Sequence, residues 1–123
     1  MKARILIVDD QGELRKLVRM TLEYADYELH EAENGARALE LVGSVRPTLV
    51  VLDVMMPGGM DGLEVCEIIK ARPETRNTKV LILSARGQFA DLEAGRHAGA
   101  DGYLVKPFSP LELIEKAERL LAG

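Results

Sequence analysis

Five short runs of aliphatic and β-branched residues, each followed by a stretch with helical spacing, restrict what this 123-residue chain can become more than any other feature. Strands are predicted at RILIV (4–8), YELHE (27–31), TLVVLD (48–53), KVLILS (79–84) and GYLVK (102–106), with helices between them and one closing the chain. No repeat, low-complexity segment or linker interrupts the alternation. Alternating strands and helices at this length predict a parallel sheet covered by helices on both faces. The first, third and fourth runs are nearly all Ile, Leu and Val, as strands buried on two sides require, whereas the second mixes Tyr, Glu, Leu and His and reads as an edge.

Right-handed crossovers and an edge second strand lead to the order 2-1-3-4-5: a doubly wound, flavodoxin-like α/β fold of five strands and five helices. In that order the first and third strands are neighbours, and a ligand crevice opens at their carboxyl ends. Asp61 with Glu64 and Ser109 with Glu112 have capping-box spacing, and Pro110 holds the favoured first helical position. A hydrophobic content of 47% is ample for one core, so residues 1–123 are expected to form one domain. The net charge of -4 gives no electrostatic reason to expect nucleic acid or an anionic membrane as a ligand. One cysteine makes no internal disulfide, and the opening MKARILIVDD reaches an acidic pair before any signal or membrane span could form, so the expected compartment is the cytoplasm. Cys66 shares a helical face with Leu63 and Ile69 and is expected in the core. His30 and His97 lack metal-ligand spacing.

If the crevice lies at the carboxyl ends, the chemistry should follow the strands, and it does. Asp9 and Asp10 follow the first strand, Asp53 ends the third, Ser84 the fourth and Lys106 the fifth, while no role falls to Glu31, Ala32 and Glu33 at the end of the second. Three carboxylates brought together repel by roughly 4 kcal/mol per pair at 4 Å and an effective dielectric near 20, more than one lysine offsets. A hard divalent cation, Mg²⁺ above all, is the natural companion, and would keep Asp53 an available nucleophile. Taken singly, Asp10 could instead cap the first helix with Glu13 three residues on, and Ser84 could be a turn residue. Lys106 must leave the fifth strand aimed at Asp53 while the chain turns away toward Ser109. A cis Lys106–Pro107 bond makes that turn, against an intrinsic preference of only about 0.5–1 kcal/mol.

The motifs IVDD, LDVMMPGGMDG, LILSA and YLVKPFSP, in this order and spacing, resemble the receiver domain of two-component response regulators, and the resemblance covers the whole chain. It implies that Asp53 accepts a phosphoryl group from a phosphohistidine on a sensor histidine kinase or phosphotransfer protein. It implies direct Mg²⁺ ligation by Asp10, Asp53 and the Met55 backbone carbonyl, with Asp9 acting largely through water. Lys106 and Ser84 would contact the phosphoryl oxygens, Ala85 would belong with Ser84 to the phosphoryl-binding and switch set, and the Tyr103 rotamer would follow the phosphorylation state. The fourth helix, fifth strand and fifth helix would form the surface that meets an effector protein or an attached output domain. The sequence holds no output domain after the fifth helix, so the expectation is either docking alone or a place in a longer regulator. A monomer is implied before phosphorylation and, in some members, a homodimer after it.

Two positions depart from the family pattern. MMPGGMDG has one residue more than the commoner loop, Gly58 or Gly59, which reads as length variation at the surface. Gly102 stands where many relatives with a DNA-binding domain carry an acid used across a dimer interface, which weakens the case for that dimer. Rival functions fare worse. A haloacid-dehalogenase-type phosphatase would need a second Asp where Met55 stands, and Met55 has no proton to give a leaving group. A flavodoxin would need a phosphate loop where DDQGEL would repel phosphate, and no GxGxxG follows any strand. A receiver that binds partners without being phosphorylated would have no need of the intact acid set.

Overall fold

A computed structural model describes residues 2–56, 59–85 and 89–123, with residues 89–92 described by their backbone alone. Strands β1 (Arg4–Val8), β2 (Glu28–Ala32), β3 (Leu49–Asp53), β4 (Lys79–Ser84) and β5 (Gly102–Val105) form one parallel sheet in the order β2-β1-β3-β4-β5. They alternate with α1 (Gly12–Leu22), α2 (Gly35–Val45), α3 (Gly62–Ala71), α4 (Phe89–Ala98) and α5 (Pro110–Ala122). Val8 is in register with Leu52, Asp53 with Leu83 and Ser84 with Val105, so these four strands end on one rim.

Three strands differ from the sequence expectation, each by one residue at a boundary or in position. β2 runs one residue later, because the Tyr27 N–H turns back to the Ala25 carbonyl (2.9 Å). β3 begins at Leu49, and β5 ends at Val105, leaving Lys106 just beyond the strand although its N–H still reaches the Ser84 carbonyl (2.7 Å).

The period-two alternation of the strands splits the core in two. Leu6, Val8, Val50, Leu52, Val80 and Ile82 face one way, against Ala38 and Val42 of α2, Val65, Cys66 and Ile69 of α3 and Ala98 of α4. Ile5, Ile7, Leu49, Val51, Leu81 and Leu83 face the other, against Val18 and Leu22 of α1 and Leu113 and Ala117 of α5. At about 1.5–3 kcal/mol for each fully buried aliphatic side chain, the three central strands hold the sheet firmly enough to carry charged groups at its end. Cys66 is buried as expected, its Sγ 3.5 Å from the Ala98 carbonyl oxygen, and burial pushes its thiol up to about 11. Gly102 is buried too, and a side chain there would press on Leu120 and Leu81. Among the described residues no helix is long and apolar enough to cross a membrane.

Both expected capping boxes form. The Asp61 carboxylate accepts from the Glu64 N–H (2.9 Å) and the Ser109 hydroxyl from the Glu112 N–H (3.1 Å), with each glutamate returning to the cap's own N–H. Asp10 caps nothing: the cap position of α1 falls one residue later, at Gln11, with no side-chain cap. Of the long loop after β3, Pro57 and Gly58 lie outside the described residues, and Gly59 has φ 113, a left-handed conformation that suits glycine.

Candidate functional site

The rim brings the acids together. Oxygens of Asp9, Asp10 and Asp53 all lie within 4.8 Å of one another, although Asp9 and Asp10 follow β1 and Asp53 ends β3. Asp53 is 2% exposed at the end of a strand buried on both faces, and Asp9 is 1% exposed, whereas Asp10 opens to solvent. The Lys106 ammonium donates to Asp53 Oδ1 at 2.9 Å, and the Met55 N–H approaches the same oxygen at 3.4 Å. The Lys106–Pro107 peptide is cis.

Asp9 is held by its backbone more than by its charge. Its N–H donates to the Ala32 carbonyl (3.1 Å) and its Oδ1 accepts from the Gln11 N–H (2.9 Å), but Oδ2 is buried with no hydrogen-bond partner among the described residues. Burial pushes the Asp9 carboxyl up to about 6; the Gln11 N–H and Lys106 pull against this, and the carboxylates of Asp53 and Asp10 add to it. A buried carboxylate oxygen without a donor, inside a cluster of three acids, suits a hard cation with oxygen ligands. The donor set therefore fits Mg²⁺. A cleft of about 530 Å³ lined by Asp10, Gln11, Val54, Met55, Met56 and Asp61 opens beside the acids.

Ser84 ends β4 nearly buried, and its carbonyl takes the Lys106 N–H, so the two stand side by side on the rim. Ala85 follows, exposed, and with Leu14, Leu17, Lys106, Pro107 and Phe108 lines a second, apolar cleft of about 430 Å³. Tyr103 is placed differently: its ring packs in the core on the side of α4, where a Cβ on Gly95 would come within 2.5 Å of Cε1. Its hydroxyl is buried with no hydrogen-bond partner among the described residues, and burial raises its pKa. His30 instead meets Glu28 (2.7 Å) on the edge strand, and His97 is exposed on α4.

Two residues beside the acids, Gly62 within the LDVMMPGGMDG motif and Glu31 at the end of the second strand, were given no role of their own from the sequence. Gly62, the first residue of α3, lies so close to the end of β3 that a Cβ on it would overlap the Asp53 carbonyl oxygen. Glu31, on the strand given no role, accepts from Arg15 (2.9 Å) and Arg19 (2.8 Å) of α1. The rule that chemistry collects at carboxyl ends could have drawn attention to Glu31; nothing local marks Gly62.

The doubly wound sheet thus carries an acid cluster and a lysine together on its carboxyl rim. The chain belongs to the response regulator receiver domain family, whose model matches residues 5–118. It is the receiver domain of a two-component response regulator, with an acidic pocket formed by Asp9, Asp10 and Asp53. It is 42% identical over 120 residues to the transcriptional regulatory protein ResD of Bacillus subtilis and 43% identical over 121 residues to the response regulator MprA of Mycolicibacterium vanbaalenii. These alignments cover 98% of this chain but 48% and 51% of the relatives, so the chain spans about half the length of the curated relatives it matches. Among solved structures it superposes on a response regulator of Chloroflexus aurantiacus with TM-score 0.94 at 34% identity, covering 100% of both chains. The chemotaxis protein CheY4 of Vibrio cholerae gives 0.91 at 32% identity, covering 98% of this chain and 99% of its own.

Proposed function

We propose that this domain is a phosphorylation-controlled switch in which Asp53 accepts a phosphoryl group from a phosphohistidine of a sensor histidine kinase or phosphotransfer protein. One observation carries the reading: Asp53 ends a buried strand with the Lys106 ammonium at 2.9 Å and two further carboxylates within 4.8 Å. A charge has no structural use there, which is what a reactive group at a functional site looks like.

An Asp53 carboxylate oxygen attacks phosphorus as the histidine N–P bond breaks and the imidazole leaves with the electron pair. Lys106 holds the acceptor in place and then follows the new charge onto the phosphoryl oxygens, with Ser84 as the neighbouring hydrogen-bond donor. Asp10, Asp53 and the Met55 carbonyl would hold Mg²⁺ directly and Asp9 largely through water; when bound, the ion offsets the repulsion among the acids and anchors the phosphoryl oxygens. In dephosphorylation water attacks phosphorus, the Asp53 O–P bond breaks with its electron pair left on the carboxylate, and inorganic phosphate departs, so the domain catalyses only its own transfer and dephosphorylation. The added charge of about -1.5 to -2 draws Lys106 and Ser84 toward Asp53 and shifts an existing equilibrium between two surfaces. Tyr103 reports that shift, since Gly95 leaves room for its ring and its buried hydroxyl lacks a partner among the described residues. The α4, β5 and α5 surface then meets an effector or an attached output domain, a reading supported by relatives that are named transcriptional regulatory proteins and are about twice as long.

Incubation with a small acyl phosphate and Mg²⁺ is expected to add one phosphoryl mass to the chain. Asp53→Asn is expected to abolish the addition, and labelling that persists in this variant would move the acceptor elsewhere.

A further inference from the structure

Arg15, one turn into α1, spans two elements with one guanidinium. Nη1 donates to the Asp9 backbone carbonyl at 2.6 Å and Nε to Glu31 Oε1 on β2 at 2.9 Å, while Arg19 donates to the other Glu31 oxygen at 2.8 Å. The Arg15 side chain is only 21% exposed, and the two guanidinium groups hold the Glu31 carboxyl below its ordinary range against the opposing effect of burial. The Asp9 carbonyl belongs to the peptide that joins Asp9 to Asp10. Its orientation decides where the exposed Asp10 carboxylate points, since Asp10 itself caps no helix.

We infer that Arg15, anchored by Glu31, is a positioning residue that fixes the Asp9–Asp10 peptide so that both carboxylates face Asp53 in the geometry a divalent cation requires. This rests on the Mg²⁺ reading above. The charge of Arg15 works in the opposite direction, because a cation near three acids opposes the binding of another cation. Electrostatics alone therefore predicts that removing Arg15 tightens Mg²⁺ binding, and positioning predicts that it weakens it. Lysine separates the two further, since it keeps the charge but not the planar fork that reaches both Asp9 and Glu31.

The test is Mg²⁺ titration of the ¹⁵N-labelled chain at neutral pH, followed by amide shifts, with melting of each metal-free variant as a control on folding. Arg15→Ala and Arg15→Lys are each expected to weaken Mg²⁺ about tenfold, the size usual for groups that orient metal ligands, and Arg19→Ala, which does not touch Asp9, to change it less than about twofold. Glu31→Gln is expected to weaken binding as well, and adding it to Arg15→Ala is expected to cost nothing more, as for two residues on one path. Arg15→Lys binding like the wild type, or Arg15→Ala binding more tightly, would overturn the inference while leaving the Mg²⁺ site intact. A wild-type chain indifferent to millimolar Mg²⁺ would overturn both.

Discussion

Asp9 keeps a carboxyl where almost none of the residue reaches solvent, and the consequence is a dependence of stability on pH with an uncommon sign. With the folded-state pKa raised from 3.8 to about 6 by burial, the folded protein retains a proton that the unfolded chain has already released. Stability contributed by this group is therefore lost as pH rises from 3.8 to about 6 and stays lost above that. Asp9→Asn, which retains an oxygen for the Gln11 N–H, is expected to be more stable than the metal-free wild type at neutral pH by up to about 3 kcal/mol. The advantage should close toward pH 4. Urea unfolding of both proteins across that range in the presence of a chelator measures it. An Asp9→Asn variant no more stable than wild type at neutral pH would mean that burial does not hold the Asp9 carboxyl above its ordinary range. Saturating Mg²⁺ should reverse the ranking, because only the wild type keeps the full acid set.

The elements that carry the site are joined to it by their first residues. α3 starts at Gly62 directly against the end of β3, so Gly62→Ala forces the helix away from the Asp53 carbonyl. This substitution is expected to cost about 1–3 kcal/mol, as overpacking does, and to disturb the Lys106–Asp53 pair, seen as shifts in the Asp53 side-chain carboxyl resonance. α5 starts at Pro110 on the Ser109 cap, shortly after Lys106. Ser109→Ala should cost about 1 kcal/mol and speed amide exchange in the first turn of α5, leaving that of α3 unchanged. Both caps were legible in the sequence because Asp61/Glu64 and Ser109/Glu112 act within one turn. The Gly62 contact was not, since it depends on where β3 ends relative to α3, and a glycine before a helix has many ordinary explanations. The start of β2 was misjudged for a similar reason: Tyr27 has strand propensity but is held in a turn by Ala25.

At the scale of the whole molecule, strand order was legible because aliphatic strands and a mixed edge strand leave few arrangements of a parallel sheet. The acids were legible because that order dictates which loops meet. The clamp by Arg15 was not, since it joins residues 16 apart that are each common on protein surfaces, and only the packing of α1 beside β2 brings them within 2.9 Å. The room for the Tyr103 ring likewise depended on Gly95, whose missing side chain makes the space. The division of the interior into two layers also has a practical outcome for a chain without tryptophan. Its one thiol, Cys66, lies wholly in the layer formed by α2, α3 and α4, so a soluble disulfide reagent reaches it only when that layer separates from the sheet. The rate of thiol modification thus serves as a clock for opening of the native state, and Mg²⁺ or phosphorylation at the rim where α3 begins should slow it by whatever factor each favours the closed form.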